Sequence, residues 1–171
     1  MAWKILTIIN GVKQLVEAIT SSAGAGDSGK IPALGADGKL SNTFMPSGVS
    51  ANVESIETTE NLSAGELVNI YNSSGRKARK ADGGTNKYRA NGFVLAATTS
   101  GQNATVYFSG ATITGLTGLT DGAPYYLSTT AGGVVPAASA PSGSGELYQY
   151  IGDASGDTAI EFNPDDGIEI V

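Results

Sequence analysis

The chain has 171 residues, 24 of them glycine, with only 15% charged and a net charge of -6. It has no cysteine and no histidine, which excludes disulfides, thiolate metal sites and the commonest general base and transition-metal ligand. Acidity argues against a nucleic-acid surface, and no apolar run approaches the ~20 residues of a membrane span.

Residues 1–22 are apolar and regular. Ile8, Val12, Leu15, Val16 and Ile19 fall at helical spacing, with Lys13, Gln14 and Glu17 off that face. The spacing predicts one short amphipathic helix, weakened in its first turn by Gly11. A helix this short is marginal alone and calls for a partner surface. The opening lacks the apolar core and cleavage site of a signal peptide, so the protein is expected to stay in the compartment where it is made.

Residues 23–52 are rich in glycine and have no sustained period, which predicts an extended or looped arm. Ile31, Leu34, Leu40, Phe44 and Met45 are spaced along it. A freely dangling linker rarely carries five large apolar side chains. The arm is therefore expected to lie on another protein and insert them.

The arm also contains GAGDSGK at 24–30, which imitates a phosphate-binding loop. That loop needs Ser or Thr next, to hold Mg²⁺, and then a helix. Here Ile31 and Pro32 follow. The GDSG within it resembles a protease nucleophile region, but no histidine exists to complete a triad.

Residues 53–171 predict a folded β domain. ELVNIY (66–71), FVLAA (93–97), ATVYF (104–108) and LYQYI (147–151) suit strands, separated by Gly, Asn, Asp and Ser clusters. Shifting the sequence by 57 positions superposes LSAG (62–65) on LTDG (119–122), Gly75 on Gly132, and Phe93 and Val94 on Tyr150 and Ile151. After a shorter turn, ATVYF (104–108) matches TAIEF (158–162). The predicted fold is mainly β: a small barrel or sandwich whose two halves could pair as pseudo-repeats.

Six of the ten basic residues crowd together: Arg76, Lys77, Arg79, Lys80, Lys87 and Arg89. Three readings remain open, in order: a solvated hairpin, a contact with an acidic protein surface, and a nucleic-acid contact. SGRK at 74–77 fits S-x-x-K but sits in a predicted hairpin turn. Asp153, Asp157, Asp165 and Asp166 lack the spacing of a calcium loop, and NPDDG at 163–167 reads as a turn. No catalytic, cofactor or metal residue is predicted.

The stretches IINGV (8–12), AITSSAGAGDSGKIPAL (18–34), ADGKL (36–40) and FMP (44–46) resemble the start of phage and prophage virion proteins. Later LSAG (62–65), RKAD (79–82), GFV (92–94), VYF (106–108), YLS (126–128) and APS (140–142) continue the likeness along nearly the whole chain. The pattern most resembles small capsid decoration (cement) proteins, while the GKIPAL…DGKL phrase also occurs in tail and fibre linkers. The resemblance implies a non-enzymatic virion protein on the outer surface of the capsid, made in the host cytoplasm. Its partners would be the major capsid protein and itself, as a homotrimer, with no nucleic acid, membrane or cofactor. Its helix and arm would place Trp3, Ile8, Leu15, Ile31, Leu34, Phe44 and Met45 on neighbouring subunits. The alternative is a trimeric tail or fibre adaptor, or a baseplate protein, anchored by the N-terminal helix.

Overall fold

The structure is a computed structural model that describes residues 4–36, 38–45 and 52–171. Trp3 and Asp37 lie outside the described residues. The chain divides into two compact units, residues 1–50 and 51–171.

The first unit corrects the predicted helix. Its residues form a hairpin, β1 (Lys4–Ile9) against β2 (Val12–Ile19), paired from Lys4↔Glu17 to Ile9↔Val12. Asn10 and Gly11 make the two-residue turn, both with positive φ of 52° and 79°. That geometry matches the twist of antiparallel strands and favours Asn-Gly. Gly11, read as a weak point in a helix, is thus the turn itself. The β-branched residues Ile5, Thr7, Ile8, Val12 and Val16 suit the pleated ribbon.

In the predicted arm, residues 31–33 lie beside the hairpin. A 3₁₀ turn, Ala25–Asp27, leads into β3 (Ile31–Pro32), which pairs in parallel with β2 through Ala18↔Ile31 and Ile19↔Pro32. Asp27 organises the turn, accepting the Ala23 N–H at 2.6 Å and the Lys30 ammonium at 2.8 Å. The Lys30 hydrogen bond holds the Asp27 carboxyl below the usual carboxylate range, and Asp27 in turn raises Lys30.

The second unit begins with β4 (Val53–Thr58), β5 (Leu67–Asn72), β6 (Arg76–Lys80), β7 (Gly92–Val94) and β8 (Asn103–Tyr107). These close a barrel in the order β4-β6-β5-β7-β8. Then follow β9 (Thr112–Thr114), β10 (Pro124–Leu127), β11 (Val134–Pro136), β12 (Leu147–Tyr148), β13 (Tyr150–Ala154), β14 (Ala159–Phe162) and β15 (Ile168–Glu169). Five of them form an open sheet, β11-β10-β13-β14-β9, and β12 pairs with β15.

The two halves have the same topology. Matching β4, β5, β6, β7 and β8 with β9, β10, β11, β13 and β14 turns the barrel order into the sheet order. Every antiparallel pairing of the barrel has its counterpart in the sheet. The entry turns agree in detail. Glu66 N–H donates to Ser63 O, and Ala123 N–H donates to Thr120 O. The third residues of these turns, Gly65 and Gly122, have φ of 82° and 70°. A type II turn demands such a residue, which is why LSAG and LTDG superpose.

One pairing of the barrel has no counterpart in the sheet. The barrel closes through parallel β4 and β6, with Glu57 opposite Lys77 and Thr58 opposite Ala78. Ion pairs flank that seam: Arg76–Glu54 at 2.9 Å and Lys77–Glu57 at 2.5 Å. A shift of 57 positions lays Glu54, Glu57, Arg76 and Lys77 on Ala111, Thr114, Gly133 and Val134, none of them charged. Pro136, which has no N–H to donate, ends β11. The sheet stays open between β9 and β11.

The strand pleat sends alternate side chains to different cores. Val68 and Val94 point into the barrel with Ile56, Ala78, Ala104 and Val106. Their neighbours Leu67 and Phe93 point outward and join Ile113, Leu127, Ile151, Ile160 and Phe162 of the second sheet. Phe93 stacks on Tyr107 and meets Phe162 edge-on, with ring centroids 5.4 and 5.2 Å apart. Gln149, fully buried, stitches the halves together: its amide accepts from Ala90 N–H and donates to the carbonyls of Ala90 and Asp165.

Tyr150 stands on the outer face of this sheet. Burial, and then the neighbouring Asp153 carboxylate, push its phenol up from 10.0 to about 12. The fold therefore favours the neutral phenol. Its contribution to stability is complete below pH 10 and is lost as pH rises toward 12. Alkaline unfolding should fall in that window and move to higher pH in Tyr150→Phe. Circular dichroism against pH checks this; coincident curves for the two proteins would contradict it.

Candidate functional site

The first unit bears the clearest interaction surface. Cross-strand pairing puts Leu6 opposite Leu15 and Ile8 opposite Lys13 on one face of the ribbon, and Ile5 opposite Val16 on the other. Ile5, Leu6, Ile8, Val12 and Leu15 are all between 45% and 67% exposed. β3 adds only two residues to the ribbon, and no described residue of this unit is fully buried, so the sheet has little interior of its own. Contiguous exposed apolar residues of this kind mark a contact surface.

The predicted contact residues distribute as follows. Ile8 and Leu15 share a face of the hairpin and are largely exposed. Ile31 is half-buried in β3 beside Ala18, and Leu34 is exposed in the loop that follows. Phe44 is half-buried in the 3₁₀ turn Asn42–Phe44, and Met45 is exposed next to it. Trp3 is outside the described residues. The helical reading missed Ile5 and Leu6, because helical spacing counted from Ile8 excludes them. The Asn-Gly pair at 10–11 was the signal that would have found them.

The basic stretch is largely neutralised within the second unit. Arg76 and Lys77 pair across the barrel seam as described, Lys80 pairs with Glu66 at 2.7 Å, and Lys87 pairs with Glu169. Such exposed pairs contribute little energy each; Arg79 and Arg89 form no ion pair among the described residues.

The sequence lookalikes take on ordinary structural roles. Lys30 of the phosphate-loop lookalike is held by Asp27 and lies 3.7 Å from Glu17. The residue after it enters a strand, so no helix N-terminus is presented. Ser74, with φ of 55°, turns the hairpin between β5 and β6, and Lys77 of the same motif lies in β6. Asp165 accepts the N–H groups of Tyr150 and Gly167, holding the C-terminal turn. Among the described residues no group of three or more acidic side chains is placed to hold a metal ion. Among them, too, no helix is long and apolar enough to cross a membrane.

The open edge of the second half leaves a cavity of about 460 Å³ between the loop after β9 and strand β11. Leu116, Leu119, Tyr125, Val134 and Pro136 form its apolar wall. The Tyr125 hydroxyl is already engaged, accepting the Thr120 N–H at 3.0 Å. Gly115, Thr117 and Gly118 complete the lining. In comparisons with known proteins, no family model and no curated relative matches this chain.

Proposed function

We propose that this protein is a structural component of a phage particle. It binds the outside of the capsid and stabilises the shell by bridging neighbouring subunits of the major capsid protein. The β unit associates with copies of itself as a trimer, and the N-terminal hairpin and arm hold the shell. The reading has no catalytic step, which accords with a chain lacking histidine and cysteine.

The observation that carries it is the apolar ribbon. Ile5, Leu6, Ile8, Val12 and Leu15 are exposed on two faces of a hairpin that has no core of its own. Covering each should contribute about 1–2 kcal/mol, before the cost of ordering the chain. Spread over many copies on one shell, such attachments act together. The resemblance of residues 8–46 to the opening of phage virion proteins supplies the identity of the surface.

The test is occupancy on purified heads, read by gel densitometry. Ile8→Ser with Leu15→Ser in the full chain should lower occupancy at least tenfold, by about 1.4 kcal/mol or more. Its far-ultraviolet spectrum should be unchanged. Undiminished occupancy would show that the β unit holds the shell instead. Labelled protein found on tails and not heads would favour the fibre-adaptor alternative.

A further inference from the structure

The outer surface of the 51–171 unit carries two aromatic patches of opposite charge. The first lies on β5 and β6. Since Val68 and Ala78 fill the barrel, Asn69, Tyr71 and Arg79 face outward. The Arg79 guanidinium lies between two rings, 4.2 Å from the Tyr71 centroid and 3.3 Å from that of Tyr88. Its Nε donates to Asn69 Oδ1 at 2.9 Å, and the Asn69 amide donates to the Arg89 carbonyl at 2.9 Å. Arg89 itself is exposed. Among the described residues neither arginine forms an ion pair, unlike Arg76, Lys77, Lys80 and Lys87. A rigid, uncompensated positive charge between aromatic rings is the result.

The second patch lies on the outer face of the open sheet. The rings of Tyr126 and Tyr148 are 4.8 Å apart, and those of Tyr126 and Tyr150 are 5.8 Å apart. All three tyrosines are half-buried rather than covered. Asp153 is exposed on β13, the strand that carries Tyr150, and Asp165 accepts the Tyr150 N–H at 3.2 Å; among the described residues neither meets a cation. Asp165 is fixed in place by the Tyr150 and Gly167 N–H groups.

We propose that these patches are the two sides of a self-association interface: the Tyr71–Arg79–Tyr88 patch of one copy, with Arg89, docks on the Tyr126–Tyr148–Tyr150 face, with Asp153, of a second copy. The proposal deepens the self-association put forward above and does not depend on the shell. The occupant follows from charge complementarity. An acidic chain repels its copies over most of its surface, so association needs a local match of opposite sign. These patches supply the match, and both are built of Tyr and Arg, the residues that anchor interfaces. Arg79 and the tyrosine rings are already held by neighbours, so they lose little rotamer freedom on binding.

The experiment is sedimentation velocity on the full chain. Arg89→Glu and Asp153→Arg change exposed residues, so the fold should persist, as circular dichroism would verify. Each should weaken association about tenfold. An equimolar mixture of the two variants should associate more strongly than either alone, because each supplies the charge the other now needs. Raising salt from about 0.05 to about 0.5 M should weaken the wild-type complex. A wild-type chain that stays monomeric at about 100 µM would overturn self-association altogether. Association undiminished by either reversal, or not restored by mixing, would overturn this pair of faces while leaving self-association standing. Tight binding of single-stranded nucleic acid that is lost in Arg89→Glu, with self-association unchanged, would reassign the arginine patch and refute the proposal.

Discussion

Phe93→Ala is expected to destabilise the 51–171 unit by about 4 kcal/mol, measured by urea unfolding. Phe93 is fully buried, and it is the ring through which the two halves touch. Removing it takes away the stack on Tyr107 and the edge contact with Phe162 together. The cavity left behind is bounded by two sheets held in register by their own hydrogen bonds, so it cannot readily collapse. Phe93→Leu keeps most of the volume and should cost about 1.5 kcal/mol. The two substitutions separate packing from fold: a loss of similar size in both would mean that Phe93 occupies a looser environment than this one.

Gly152→Ala should be at least as damaging, at about 4 kcal/mol or more, with soluble yield reporting the outcome if the variant fails to fold. Gly152 lies in β13, opposite Phe162 on one side and Tyr125 on the other. A Cβ placed there would come 1.9 Å from the Glu161 carbonyl oxygen, which belongs to the backbone of β14. No rotamer change relieves a contact between Cβ and main chain; the strands themselves must part. Separating β13 from β14 would expose Ile151, Ile160 and Phe162 at once. Gly156→Ala makes a suitable control, because nothing lies within 4 Å of a Cβ at that site. Its φ of 100° still imposes some strain, so its loss should be smaller but not zero. Equal stability of Gly152→Ala and wild type would mean that β13 and β14 are further apart than this register places them.

Much of the second unit can be read directly from its residues. Strands are visible because β-branched and aromatic residues alternate between glycine-bearing turns, a local property. The repeat is visible for the same reason. Gly65 and Gly122 each occupy a turn position that requires positive φ, so both halves keep the same punctuation. The absence of histidine and cysteine likewise narrows the chemistry without any coordinates.

Tertiary structure decided the rest, in each case because the deciding partner is distant in sequence or because one pattern fits two geometries. Ile8, Val12, Leu15, Val16 and Ile19 satisfy the helical period, yet the positive φ of Asn10 and Gly11 makes them the faces of a ribbon. Arg76, Lys77, Lys80 and Lys87 look free for a partner, but Glu54, Glu57, Glu66 and Glu169 reach them only after the barrel closes and the C-terminus returns. The burial of Gln149 follows from contacts with Ala90 and Asp165, not from anything beside it in the chain. The two halves share their other pairings, yet the first closes through parallel β4 and β6, where Glu57 meets Lys77, and the second stays an open sheet. Strand and turn propensity act over a few neighbouring residues and survive in the sequence; seam closure depends on which distant side chains come face to face, and only the folded chain sets that.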